Sequence, residues 1–300
     1  MTDTAPPPLP YADWVGTRDT LHLFLQIIGK IRLKSHPKLN HWWHVTLYPY
    51  VHGVTTGRIP YGDIGFEITY NMIYHYVMVS RNDGRHTRFD AAGRTVAEFY
   101  NATMKSLDDL GITVKIHPVP YENKSTVPFP DDTALRAYDK AAVTDYRKAL
   151  CQIASTFEVF RTRFNGKQTP VHLYWHSFDL VVTRFSGRAH ALQGGTPSDR
   201  EAYSHEVISI GFWPGDDTFP KAAFYGYAYP EPAGLNATPL APGAAQWVER
   251  NGGALAVLEY DAFRQAKNPA DDLLAFLESV YQNAGQLADW DIRSFEHAPD

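Results

Sequence analysis

Three histidines stand where acid–base chemistry is plausible in this 300-residue chain. His44 lies in NHWWHV, His176 in WHSFD, and His205 sits beside Glu206 in SHEV. Imidazole titrates near neutrality and a carboxylate can orient it, so His44, His205, Glu206 and His176, with Asp179 nearby, form the first candidate constellation. Neighbours on a strand face opposite ways, so His205 and Glu206 are not expected to bond each other. Arg184 and Arg188, in TRFSGR, form the second. Their planar forks suit a carboxylate or phosphate, and Ser186-Gly187 would let a ligand approach backbone N–H groups. Arg184 pairing with Asp179 or Glu206 is the equally good structural alternative. Trp42, Tyr174 and Tyr227 would wall such a site, Tyr227 as part of the stripe Tyr225, Tyr227, Tyr229.

Other chemistries find less support. A metal site built from His44, His176 and His205 needs three strands to converge, and His41 and His44, three apart on a strand, face opposite sides. There is no HExxH, and one cysteine, Cys151, makes no CxxC pair. No metal ligand set is assigned, and no cofactor is named by any motif: Gly-x-Ser-x-Gly, the phosphate loop and Gly-x-Gly-x-x-Gly are all missing. Cys151 sits beside a helical stripe and reads as inert packing.

The elements that must position these residues can be read from periodicity. Leu21, Phe24, Ile28 and Ile31 predict a well-buried helix over 20–31. Strands are expected over 41–50, 66–70, 73–80 and 85–89, with Asn82-Asp83-Gly84 as a hairpin turn. Thr95 and Glu98 form a capping box for a helix over 95–110, and 112–116 reads as a short strand. Asp131-Asp132-Thr133 is expected to cap a long helix whose buried stripe is Val143, Tyr146, Leu150, Ile153, Phe157, Phe160 and Phe164. Pro170–Arg188 reads as one long strand, with Trp43 and Trp175 as core anchors and His44 and His176 on the opposite face. Further strands are expected over 206–213, 222–229 and 254–260. Asn268-Pro269 should open the last helix.

Each half then reads as helix, antiparallel strands, helix, and Trp43-His44 echoes Trp175-His176. The expected fold is α+β, two pseudo-repeated halves packed about a pseudo-twofold axis. The divisions are a Pro-rich arm over 1–13, a first half over 14–117, a linker over 118–132, a second half over 133–290 and a tail over 291–300.

Bulk properties narrow the function. Hydrophobic residues are 44% and charged residues 20%, enough for a core and unlike a disordered chain. A net charge of −5, with no basic cluster, argues against nucleic acid and acidic membranes as partners. No apolar run reaches the roughly 18–20 residues of a membrane span. MTDTAPPPLP lacks the features of a signal peptide, and with a single cysteine a cytoplasmic location is expected.

NHWWHV, WHSFDLVVTRFSGR, EAYSHEVISIGFWPG and FYGYAYPEP resemble the motifs of a bacterial family of unknown function. The resemblance runs from about Trp14 to about Trp290 and implies no particular activity. The expectation is a small-molecule enzyme or binding protein with an aromatic, His-lined cleft between the halves. If catalytic, it would perform acid–base chemistry on an anionic substrate. The alternatives are a non-catalytic interaction or homodimer-forming protein, and a His-ligated metal enzyme.

Overall fold

The apolar stripe around Phe24 belongs to a helix longer than its periodicity implies. In the computed structural model, which describes residues 5–250 and 252–296, α1 runs Tyr11–Ser35 and is buried on almost every side from Trp14 to Arg32. Gly29 does not end it. A Cβ at Gly29 would lie 2.1 Å from the Trp175 indole, so the missing side chain lets that ring lie against the helix. Trp175 is buried there, and its Nε1 donates to the Val45 carbonyl at 2.7 Å.

The first antiparallel sheet contains β1 (Tyr48–Tyr50), β2 (Gly53–Thr55), β3 (Ile59–Tyr61), β4 (Ile64–Asn71), β5 (Tyr76–Arg81) and β6 (His86–Asp90). Its order is β1-β2-β4-β5-β6, with β3 also paired to β4. α2 (Val96–Asp108) starts at the expected Thr95–Glu98 capping box. It brings Phe99 to within 3.9 Å of Phe24, ring stacked on ring, a pairing that adds about 0.5–1.5 kcal/mol beyond burial.

α3 (Lys140–Thr162) begins later than expected. Asp139 caps it by accepting from Ala141 and Ala142, whereas Asp131 sits in a short 3-10 turn. Its stripe from Val143 to Phe160 is buried as the periodicity predicts. The second sheet has order β7-β8-β9-β10-β12-β11, from β7 (His172–Tyr174), β8 (Asp179–Ala189), β9 (His205–Trp213), β10 (Ala223–Tyr229), β11 (Gln246–Arg250) and β12 (Gly253–Glu259). Four further helices are α4 (Pro197–Ala202), α5 (Tyr260–Arg264), α6 (Pro269–Leu287) and α7 (Ile292–Phe295). α6 closes one face of this sheet, where Val280 fills the space left by Gly226.

The expected α+β class is the observed one: two six-stranded antiparallel sheets with helices. In chain order α1 precedes the first sheet and α2 follows it, while α3 precedes the second sheet and α6 follows it. The sheets touch at their edges, where Leu47 and Leu173 exchange backbone hydrogen bonds of 2.9 and 2.7 Å.

Several expectations fail for identifiable reasons. Residues 41–45 are not strand: Asn40–Trp42 is a 3-10 turn, with His41 and Trp42 at φ 52° and 59°. Pro170–Arg188 is not one strand but the β7–β8 hairpin, with His172 opposite Val181 and Tyr174 opposite Asp179. Trp175–Phe178 is its turn, held with Phe178 at φ 63°. The strand-face assignment of His44 and His176 therefore lapses, and Trp43 is only half-buried. Residues 112–116 form no strand.

Part of the expected arm is docked: Leu9 is buried and Pro7 accepts a hydrogen bond from Tyr260. Residues 1–4 of that arm and 297–300 of the expected tail lie outside the described residues. Residues 121–124, within the expected linker, are tied to α1. Gln26 accepts from the Tyr121 N–H and donates to its carbonyl, at 2.8 and 2.7 Å.

Candidate functional site

Alternation along the second sheet separates two unlike faces. Leu180, Val182, Ile208, Ile210, Phe212, Phe224 and Leu258 join the core beneath α3 and α6. The opposite face carries Asp179, Val181, Thr183, Ser209, Gly211, Tyr225 and Tyr227. Small residues at its centre leave a floor on which long side chains can lie. Gly211 pairs with Tyr225, and a Cβ there would lie 2.5 Å from the tyrosine ring. The ring crosses β9 because nothing stands in its way, and its hydroxyl reaches Asp179 Oδ2 on β8.

Above this face lies a cleft of two lobes, one of about 990 Å³ and one of about 500 Å³. Glu122, Ser177, Asp179, Tyr225 and Tyr227 line both. The smaller lobe is closed by α1, by residues 41–45 and by the β7–β8 turn, so segments far apart in the chain contribute walls. The larger lobe opens between α1, residues 122–124, residues 213–218 and the ends of β10 and β12.

Asp179 is 8% exposed. Ser177 and Tyr225 place one hydroxyl on each of its carboxyl oxygens. Burial pushes its pKa up, against the opposing pull of those two hydrogen bonds. The group therefore holds its proton to higher pH than an exposed aspartate, a property suited to proton transfer. Tyr225 and Tyr227 are stacked at 6.3 Å, and the Tyr227 and Tyr203 hydroxyls lie 2.7 Å apart.

A second polar pair sits on the rim. His176 Nδ1 donates to Glu122 Oε2 at 3.2 Å, and that bond is the main cause holding Glu122 below the usual carboxylate range. Beneath it, His22 donates from Nε2 to the His176 carbonyl and accepts from Asn123 at Nδ1. Burial, reinforced by Arg18, lowers His22 to about 4, so it is a neutral packing group stacked on Phe178.

Four of the nine sequence-derived site residues line the cleft: Trp42, Tyr174, His176 and Tyr227. The other five do not. His44 is buried and accepts from the Leu39 N–H at 3.3 Å. His205 lies behind the cleft wall, its ring 5.3 Å from that of His41, and has Ser204 Oγ 3.1 Å from Nδ1. Glu206 accepts from Ser186 and Arg188 at 2.9 and 2.8 Å. Arg188 spans from Glu206 to the carbonyls of Ala288 and Asp289, where it satisfies the C-terminal end of α6. Arg184 is on the core face and 1% exposed, stacked over Phe160, Phe164 and Tyr281. It pairs with neither Asp179 nor Glu206; its nearest carboxylate is Glu278, at 3.8 Å.

These placements remove the basis for an anionic substrate held by Arg184 and Arg188. The cations of the larger lobe are already matched: Arg18 with Asp19 at 2.6 Å, Lys124 with Asp217 at 2.5 Å, Arg250 with Asp216 at 3.6 Å. Glu122, Asp179 and Glu231 remain on the acidic side. Among the described residues no group of three or more His, Cys, Asp or Glu is arranged to hold a metal, and His44, His176 and His205 make no such set. No helix among them is long and apolar enough to cross a membrane.

Sequence reasoning misses Lys30, His22 and the role of Asp179 with Tyr225. Lys30 has a readable signal: a lone ammonium in the run IIGKI, where an all-round apolar helix gives it no watery face. The Asp179–Tyr225 contact has none, because it depends on the register that sets Gly211 between them.

An α+β chain with paired antiparallel sheets and an aromatic cleft on one sheet face defines the class of protein. The chain belongs to a family of unknown function (DUF5996), whose family model matches residues 6–297. No curated protein and no solved structure matches it.

Proposed function

We propose that the protein binds a small organic molecule in the two-lobed cleft and performs acid–base chemistry on it, with Asp179 as the proton-transferring group. The observation that carries this reading is the position of Asp179: buried, raised in pKa, held by Ser177 and Tyr225, and facing both lobes. A carboxyl kept in the core for packing would have no reason to face open volume. Tyr225, Tyr227 and Trp213 supply flat surfaces, while the pairing of Arg18, Lys124 and Arg250 with carboxylates in the larger lobe favours a neutral or cationic, hydroxyl- or amine-bearing ligand there. His176 with Glu122 serves as a rim pair that contacts the ligand as it enters. The shared element order of the halves supports an internal duplication, with the cleft built where the two meet.

The test is a thermal-shift and native-mass screen of neutral, cationic and anionic small molecules against the wild-type protein and Asp179→Asn. Neutral or cationic ligands should raise the melting temperature of the wild type, and Asp179→Asn should abolish any turnover of them. Stabilisation by anions alone, or equal turnover by Asp179→Asn, would sink the reading.

A further inference from the structure

We infer that Lys30 is an imine-forming amine, and that the smaller lobe takes the carbonyl group of an aldehyde or ketone. This extends the preceding reading and rests on it only for the cleft being the ligand site.

The residue is 8% exposed and lines the smaller lobe. Its Nζ lies 5.6 Å from the centroid of the Trp175 ring, the only side-chain partner it has among the described residues. Among the described residues no carboxylate pairs with it. A lysine placed for stability would end in water or on an acidic group. This one has no acidic partner among the described residues: its ammonium lies over an aromatic wall and reaches the open volume of the cleft. Its placement is enforced from both sides: Gly29 lets the Trp175 indole press against α1, and the Val45 carbonyl fixes that indole through Nε1. Burial lowers the pKa of the ammonium, which raises the share of free amine near neutrality.

The chemistry balances without an oxidant or reductant. The Nζ lone pair attacks the carbonyl carbon, the C=O π pair moves to oxygen, and an amine proton passes to that oxygen to give a carbinolamine. The C–O bond then breaks as the oxygen takes a second proton and leaves as water. The nitrogen lone pair forms the C=N bond, and loss of the remaining N–H proton gives the neutral imine. Asp179, in the same lobe, is the group suited to supply and recover the proton.

The experiment is reductive trapping of the full-length protein with benzaldehyde and sodium cyanoborohydride at pH 7, followed by peptide mapping. Lys30 should be alkylated about tenfold or more ahead of the exposed Lys115 and Lys267, because more of it is free amine at that pH. The pH midpoint of its labelling rate should also fall below theirs. Labelling of Lys30 at or below the pace of Lys115 and Lys267 would overturn the inference. So would a midpoint equal to theirs. Trapping needs neither the natural ligand nor Asp179. An inert Lys30 therefore overturns only this inference, whereas unaltered ligand turnover in Asp179→Asn overturns only the preceding one.

Discussion

Strand β8 buries an ionisable group on each of its faces, and the surroundings of the two differ in kind. Arg184 points into the core, where three aromatic rings and the Phe160 carbonyl enclose it, with the Phe160 bond at 2.5 Å. Asp179, five residues earlier, points the other way, onto two hydroxyls and open volume. Both groups have displaced pKa values, and burial is the leading cause in each. Burial by itself therefore does not separate a functional group from a structural one; adjacency to a cavity does.

Mutations on the core face should produce the largest effect. Arg184→Ala removes the cation above three rings and deprives the half-buried Glu278 of a neighbour. A loss of about 3–5 kcal/mol is expected in urea denaturation. Arg184→Met, which keeps the volume without the charge, should lose much less. Equal losses would mean that the guanidinium itself stabilises the core, and the contrast with Asp179 would weaken.

The cleft side should show proton linkage of two opposite signs. His22 is lowered to about 4, so its contribution is present above its ordinary value of about 6.5 and is lost as pH falls through about 4. Across that window the loss should approach about 3 kcal/mol, and His22→Gln should flatten it. Asp179 is raised, so its contribution is present below the ordinary aspartate value of about 3.9 and is lost as pH climbs through its elevated folded value. Stability curves of His22→Gln and Asp179→Asn, recorded from about pH 3 to about pH 8, check both signs.

The smallest effect is expected at Tyr225. Tyr225→Phe removes one hydroxyl from Asp179 and should cost about 1 kcal/mol. Because that hydrogen bond opposes the effect of burial, the Asp179 pKa should rise further in the variant. NMR titration of the Asp179 carboxyl carbon reads this directly; an unchanged or lower value would show that Tyr225 does not govern it.

Much of the fold is legible from local rules. The Thr95–Glu98 capping box and the α3 stripe each arise from side-chain spacing alone. The errors fall where a residue sits in a conformation its type rarely adopts. Nothing in Trp-His-Ser-Phe signals a hairpin, since Phe178 occupies a left-handed position usually taken by Gly or Asn. The same holds for His41 and Trp42. Without that hairpin, the alternation along β8 is counted from the wrong origin, and Arg184 lands in a ligand site instead of the core. The tyrosine stripe is visible on β10, but its partner Asp179 is not, because strand register is a long-range property.

The reciprocal bonds between Leu47 and Leu173 have a consequence for the life of the chain before it is complete. β1 and β7 are the border strands of their sheets, and each supplies partners to the other's unpaired backbone. A ribosome that has released only the first half therefore presents a bare strand margin until residues around Leu173 emerge. Cutting the chain between residues 118 and 132 would leave two such margins, and the separated fragments should rejoin or aggregate rather than persist as independent domains.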